Sequence, residues 1–137
     1  MADDSFSIAI EGCWKDTEEE NSHIPEYSGV FFVFEAKPAA DGLVPLRLIY
    51  VGGAENVRDG ILTFVKKFQQ LKYLRYGNSL CYFTAAVDRN ARERVQAAFV
   101  YAHKPPANDL YKYRFPFAPT HIKSTGKIGF LKENFRV

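Results

Sequence analysis

The chain has 137 residues, of which 47% are hydrophobic and 25% are charged, with 18 lysines and arginines against 16 aspartates and glutamates. This length predicts one domain, residues 1–137, whose core is large enough to fold without disulfides or a structural metal. The net charge of +2 excludes a strong overall attraction to nucleic acid, although a local basic face stays compatible with the composition.

Targeting signals and cysteines indicate the compartment. The first residues, Met-Ala-Asp-Asp-Ser, are acidic and are not followed by the apolar run of a signal peptide. No apolar stretch approaches the length of a membrane span. Cys13 and Cys81 lie in apolar, strand-like segments and predict two buried thiols, and the three histidines are scattered. We therefore expect a cytoplasmic protein without a membrane partner and without a structural metal.

The first part of the chain predicts strands. Residues 6–14 are apolar and β-prone, whereas residues 15–26 are polar and acidic and predict a loop. Residues 29–36 are dense in β-branched and aromatic side chains, which is typical of a buried strand. A loop with two prolines separates them from a second strand at residues 46–52. Because these two strands are close in sequence, we expect them to pair antiparallel.

The second part of the chain predicts two helices around a third strand. Apolar residues recur at intervals of three and four over residues 55–76, which predicts a helix, and residues 79–87 predict a strand. A second helix is predicted over residues 88–103, and the remaining tail is expected to wrap the core, with a short strand near residues 128–131. The fold class is therefore α+β, with a small three-stranded antiparallel sheet flanked by helices, which the N-terminal strand could extend.

Two tripeptides on the paired strands carry a family resemblance. Gly29-Val-Phe31 and Tyr50-Val-Gly52 are followed by Gly53-Ala-Glu-Asn-Val-Arg58, and the second helix carries Gln96 followed, twelve residues later, by Asn108. This arrangement resembles the GIY-YIG nuclease family, and the tail from Tyr113 to Lys127 is similar to the ending of one uncharacterised bacterial branch of that family. The resemblance covers a core of residues 28–108, between an N-terminal segment (1–27) and the tail (109–137).

The resemblance implies a catalytic site with five positions, three of which differ in this chain. The family has a tyrosine on each tripeptide strand, an arginine on the first helix, a metal-binding glutamate on the second helix and an asparagine after it. Here Tyr50 and Asn108 are retained, whereas Phe31 replaces the first tyrosine, Gly60 the arginine and Gln96 the glutamate. Each replacement removes a hydroxyl or a charge that metal-assisted phosphodiester hydrolysis uses.

The metal position is the most consequential of these changes. A hard divalent cation prefers anionic oxygen, whereas Gln96 offers one neutral amide oxygen. Glu93 lies three residues earlier, on roughly the same face of the helix, and is a candidate substitute ligand. We therefore expect no cofactor, with one Mg²⁺ or Mn²⁺ ion as the alternative if the site is active.

Three functions stay open at this point. The sequence predicts a GIY-YIG-like domain that is catalytically inactive or impaired and is retained as a nucleic-acid-binding or interaction module. Arg58, Lys66, Lys67 and Arg92 are the cations proposed to meet DNA or another nucleic acid. The alternatives are an active metal-dependent endonuclease with a rearranged site, and a protein-interaction domain without affinity for nucleic acid.

Overall fold

A computed structural model describes residues 4–40, 42–67, 74–75, 77–127 and 131–137 of the chain. Within these ranges the strands are β1 (Asp4–Lys15), β2 (Gly29–Ala39), β3 (Gly42–Ala54), β4 (Ser79–Ala86), β5 (Thr120–Gly126) and β6 (Asn134–Arg136). The helices in the same ranges are α1 (Glu18–Asn21), α2 (Val57–Lys67) and α3 (Arg89–His103). The α+β class predicted from the sequence is therefore confirmed.

The sheet is larger than the predicted one. Its strand order is β3-β2-β4-β1-β5-β6, so the three predicted antiparallel strands form one half of a six-stranded sheet in the described residues. β1 extends this half by pairing antiparallel with β4. On its other side β1 pairs in parallel with β5, where Asp4 lies opposite Thr120, and the sheet is therefore mixed. The tail was predicted to wrap the core, but part of it instead supplies the two strands β5 and β6.

Several predicted boundaries also needed correction. The acidic segment 15–26, predicted as a loop, contains α1, whose first turn is capped by the Thr17 hydroxyl accepting a hydrogen bond from the Glu20 amide. β3 begins at Gly42, four residues before the predicted strand. The described part of the first long helix is α2, and the predicted strand at 128–131 lies largely outside the described residues.

β2 is the centre of the core because both of its faces are covered. Phe32 and Phe34 pack with α3 in one apolar cluster, whereas Phe31 and Val33 pack with α2 in a second cluster on the opposite face. This alternation is the period of two that a strand imposes on its side chains. The two long helices therefore lie on opposite faces of the sheet, near the end formed by β2 and β3.

β3 contains an irregularity next to Tyr50. Val33 lies opposite Tyr50 and Phe34 lies opposite Leu48, so Ile49 is an extra residue in β3. Ile49 and Tyr50 consequently both pack on the face that α2 covers. Tyr50 faces α2 because it lies opposite Val33, and the β-bulge adds Ile49 to the same face.

A buried carboxylate anchors the far end of β2 and β3. Glu35 is fully buried and accepts hydrogen bonds from Arg47 Nε at 2.7 Å, the Arg75 amide at 2.8 Å and Asn78 Nδ2 at 2.8 Å. Burial raises the pKa of Glu35, but these donors outweigh it and hold the pKa below its ordinary value. The charge of Glu35 is therefore stabilised by fixed donors in the folded chain.

The helices in the described ranges do not have the length and hydrophobicity that crossing a membrane requires.

Candidate functional site

Two adjoining clefts open beside β3, between α2 and α3. The first, which we call the aromatic cleft, has a volume of about 760 Å³ and is lined among others by Phe31, Tyr50, Asn56, Asp59, Phe64 and Lys67. The second, the amide cleft, has a volume of about 500 Å³ and is lined among others by Tyr50, Arg92, Glu93, Gln96, Asn108 and Tyr111. Both clefts share Tyr50, Gly53 and Ala107, so they form one continuous depression.

The structure brings all five predicted site positions to this depression. Phe31 and Gly60 line the aromatic cleft, Gln96 and Asn108 line the amide cleft, and Tyr50 stands between them. These residues come from β2, α2, α3, the loop after α3 and β3, respectively. Positions that are spread over nearly eighty residues of sequence therefore meet at one edge of the sheet.

The ring of Phe31 is held between two glycines. A Cβ atom on Gly52 would lie 2.2 Å from Phe31 Cζ, and a Cβ atom on Gly60 would lie 2.8 Å from both Phe31 Cε1 and Ala54 Cβ. Such distances are too short for any side chain to fit without moving the ring. The glycine in the first turn of α2, which costs helix stability, is therefore explained by the close approach of α2 to Phe31.

The first turn of α2 is fixed by a capping residue directly before the helix. The side chain of Asn56 accepts a hydrogen bond from the Asp59 amide at 3.2 Å, and the Gly60 amide donates to the Asn56 carbonyl at 3.0 Å. Asn56 is therefore the residue that caps α2. This cap fixes the first turn, and with it the position of Gly60 over the Phe31 ring.

Two amide side chains converge on the backbone of Val51. Asn108 is buried and makes two hydrogen bonds there, with its Oδ1 accepting from Val51 N at 3.0 Å and its Nδ2 donating to Val51 O at 2.9 Å. Gln96 Nε2 also donates to Val51 O, at 3.3 Å. β3 is an edge strand, and the loop after α3 covers this edge, since the Ala107 amide donates to Ile49 O at 3.0 Å.

The Tyr50 ring packs between two other aromatic rings. Its ring centroid lies 4.3 Å from that of Phe64 and 5.9 Å from that of Phe31. Burial, and then the negative charge of Asp109, raises the pKa of Tyr50 above its ordinary value. The hydroxyl of Tyr50 therefore stays protonated at neutral pH and is a hydrogen-bonding group, whereas proton abstraction needs a pKa near the working pH.

The side chains at the family's metal position do not fit a hard divalent cation. Gln96 is neutral and its Nε2 is engaged by Val51 O. Glu93, the candidate substitute, accepts a hydrogen bond from the Tyr111 hydroxyl at the outer wall of the amide cleft. No three histidine, cysteine or carboxylate side chains in the described ranges lie together in a way that could hold a metal. The donor set offers mostly neutral oxygen where Mg²⁺ prefers carboxylates.

The four cations proposed to bind nucleic acid are not equally placed. Arg58 lies outside both clefts and donates to the carbonyls of Ile24 and Ser22, each at 2.8 Å, so it holds the segment between α1 and β2. Arg92 lines the amide cleft and donates to Ser28 Oγ at 3.0 Å. Lys67 lines the aromatic cleft, and Lys66 is exposed beside it on α2.

Several residues of the clefts were not singled out from the sequence. Asp59 and Thr63 line the aromatic cleft together with Lys67, and their spacing of four residues places the three on one face of α2. This spacing is a signal that the sequence contains. Asp109 and Tyr111 line the amide cleft from the loop after α3, where no regular period points to them.

The clefts carry more negative than positive charge. Their described lining includes the carboxylates of Glu55, Asp59, Glu93 and Asp109 and only the cations Lys67 and Arg92. The excess of two negative charges opposes a phosphate backbone, which would add further negative charge to the same space.

The chain was compared with known proteins at the level of both sequence and structure. No family model matches it. No curated protein and no solved structure matches it significantly either. The interpretation of the clefts therefore depends on their own geometry and charge.

Proposed function

We propose that this chain is a GIY-YIG-like domain that does not hydrolyse phosphodiesters and instead serves as an interaction module. Three antiparallel strands in the order β3-β2-β4, with α2 and α3 on opposite faces, agree with the arrangement that the resemblance implies. The meeting of the five family positions at one depression is a second argument for the resemblance. A cytoplasmic location belongs to the proposal, since both cysteines are free thiols.

The chemistry of the clefts favours binding over hydrolysis. Phe31 has no hydroxyl, Gly60 has no cation, and Gln96 is neutral and bonded to the backbone. Loss of one preorganised electrostatic group typically lowers a rate by about 10²–10³. The raised pKa of Tyr50 removes the retained tyrosine as a base at neutral pH. No hydrolytic step is therefore assigned to these residues.

The observation that carries the proposed partner class is the charge of the depression. Four carboxylates surround a floor of aromatic rings, with two cations among the described lining residues. Such a surface attracts a basic or aromatic protein segment, because cations interact favourably both with carboxylates and with ring faces. Of the open alternatives, a protein partner is therefore favoured over DNA or another nucleic acid.

The first experiment compares two labelled probes, an oligo-arginine peptide and a duplex DNA oligonucleotide, by fluorescence anisotropy at physiological salt. We expect the peptide to bind more tightly than the DNA. The variant Asp59→Asn/Asp109→Asn removes one carboxylate from each cleft. If each exposed pair contributes about 0.2–1 kcal/mol, this variant should weaken peptide binding about 2- to 30-fold.

A matched control makes the same change in net charge at positions outside both clefts. Glu18→Gln/Glu19→Gln alters two exposed carboxylates of α1, which line neither cleft. Peptide binding should stay close to wild type in this variant. Equal weakening by both variants would mean that only overall charge matters. Tight, salt-dependent binding of the DNA probe would favour the nucleic-acid alternative instead.

A separate experiment tests the loss of hydrolysis. Supercoiled plasmid is incubated with the chain and Mg²⁺ or Mn²⁺, and nicking is followed on a gel. We expect no nicking above a buffer control. Nicking by the wild type that Tyr50→Phe abolishes would show an active, rearranged site and would refute the non-catalytic part of the proposal.

A further inference from the structure

The two cysteines of the chain lie on neighbouring strands. β1 and β4 pair antiparallel, with Lys15 opposite Cys81 and Gly12 opposite Phe83, and the register shifts between Gly12 and Trp14, at Cys13. Cys81 belongs to the apolar cluster on the α3 face of the sheet, and Cys13 packs against the same cluster. Both thiols therefore project from the same face of two adjacent strands.

The two thiols are neighbours on the paired strands β1 and β4 and share one apolar cluster. The Cys81 thiol favours the thiolate form of Cys13. Cys81 is completely buried, whereas Cys13 is only half-buried. Cys13 is therefore more accessible than Cys81 to a reagent in the solvent.

The surroundings of Cys13 favour its thiolate. The neighbouring Cys81 thiol is the largest influence and lowers the pKa of Cys13 to about 7, against burial, which raises it. Among the charges around it, Glu20 raises the pKa, whereas Lys15 and Lys127 lower it. A thiolate with a pKa near neutral pH is the nucleophilic form in which cysteine reacts with oxidants.

We propose that Cys13 and Cys81 form a reversible intramolecular disulfide when the chain meets a hydroperoxide, with Cys13 as the sulfur that is oxidised first. The thiolate of Cys13 attacks one oxygen of the hydroperoxide, the O–O bond breaks, and the other oxygen leaves as an alcohol or water after taking a proton. The Cys81 thiol then attacks the Cys13 sulfenic acid, the S–S bond forms, the S–O bond breaks and water leaves. The two thiols together lose two electrons, which the O–O bond accepts.

This dithiol site is independent of the proposed function. Neither cysteine lines the aromatic cleft or the amide cleft. The disulfide would join β1 to β4, and so tie the half of the sheet that contains β5 and β6 to the half that holds the clefts. A failure of the interaction proposal would consequently leave the redox proposal unchanged, and the reverse is also true.

The experiment uses the full chain, reduced, freed of reductant and then treated with hydrogen peroxide. We expect the intact mass to fall by two hydrogen atoms, peptide mapping to link Cys13 to Cys81, and dithiothreitol to reverse the change. In Cys81→Ala, the sulfenic acid at Cys13 should persist and react with dimedone, whereas Cys13→Ser should resist oxidation because Cys81 is buried. Circular dichroism checks that both variants are folded.

A second readout follows the rate at which iodoacetamide alkylates Cys13 at different pH values. The half-maximal rate should lie near pH 7 in the wild type and should move toward 9.0, the ordinary value, in Cys81→Ala. The proposal is overturned if peroxide leaves both thiols reduced, if Cys13 proceeds to sulfinic acid without linking to Cys81, or if the disulfide joins two chains. The wild-type mass measurement decides the question even if a variant does not fold.

Discussion

Replacing Gly60 with alanine tests the packing of α2 against the Phe31 ring. Helix propensity alone predicts that Gly60→Ala stabilises α2 by about 1 kcal/mol. The structure predicts the opposite sign, because the new Cβ would lie 2.8 Å from both Phe31 Cε1 and Ala54 Cβ. Overpacking of this kind costs about 1–3 kcal/mol. Since two contacts are compressed at once, we expect a net loss of about 1–2 kcal/mol in the free energy of unfolding.

Urea denaturation followed by circular dichroism measures this change. With an m-value of about 1.5 kcal/mol/M, the midpoint should fall by about 1 M. The variant Phe31→Leu removes the Cε1 atom, so Gly60→Ala should cost less in that background, and the difference is the coupling energy. Thr63→Ala, at an exposed position of α2, is the matched control and should be neutral or slightly stabilising.

Two results would refute the reasoning. Stabilisation of the wild type by Gly60→Ala would mean that helix propensity outweighs packing and that the ring is not confined. An equal cost of Gly60→Ala in the wild-type and Phe31→Leu backgrounds would show that Phe31 is not the group that excludes a side chain at this position.

Three further predictions concern polar groups that are buried or half-buried. Asn108→Ala removes both hydrogen bonds to Val51 and leaves a buried backbone amide unpaired, so we expect the free energy of unfolding in urea to fall by about 2–3 kcal/mol. Asp109→Ala, at the exposed neighbouring position, is the control and should be near neutral. Gln96→Glu places a carboxylate where an amide donates to Val51 O at 3.3 Å, so it should lower the free energy of unfolding by about 1–3 kcal/mol. An unchanged midpoint in urea denaturation would contradict that hydrogen bond. The pKa of Glu35 is held below 4.5 in the folded chain. The ionised Glu35 carboxylate therefore stabilises the fold fully above pH 4.5, and this stabilisation is lost as the pH falls through the lowered pKa of the folded state. Unfolding at a series of acidic pH values should therefore show a weaker pH dependence in Glu35→Gln than in the wild type, and identical dependences would argue against a lowered pKa.

The local elements could largely be predicted because their signals lie within short windows. The dense apolar run of residues 29–36 identified β2, and the recurrence of Val57 and Ile61 at a spacing of four identified the buried face of α2. The sequence also pointed to Phe31, Tyr50, Gly60, Gln96 and Asn108, which the structure brings to one depression. Why Gly60 is a glycine could not be predicted, since the answer is a ring on another element.

The sequence by itself determined the α+β class and the antiparallel core, because strand and helix periods and short connections are local properties of the chain. Only the tertiary structure decided that β5 lies parallel to β1, with Asp4 opposite Thr120, since no local pattern specifies a partner so far along the chain. It also decided that a bulge places Ile49 beside Tyr50 on the face that α2 covers, and that Cys13 and Cys81 pack against one apolar cluster from paired strands. These features depend on the register between strands, which is settled by packing of the whole sheet rather than by any one segment.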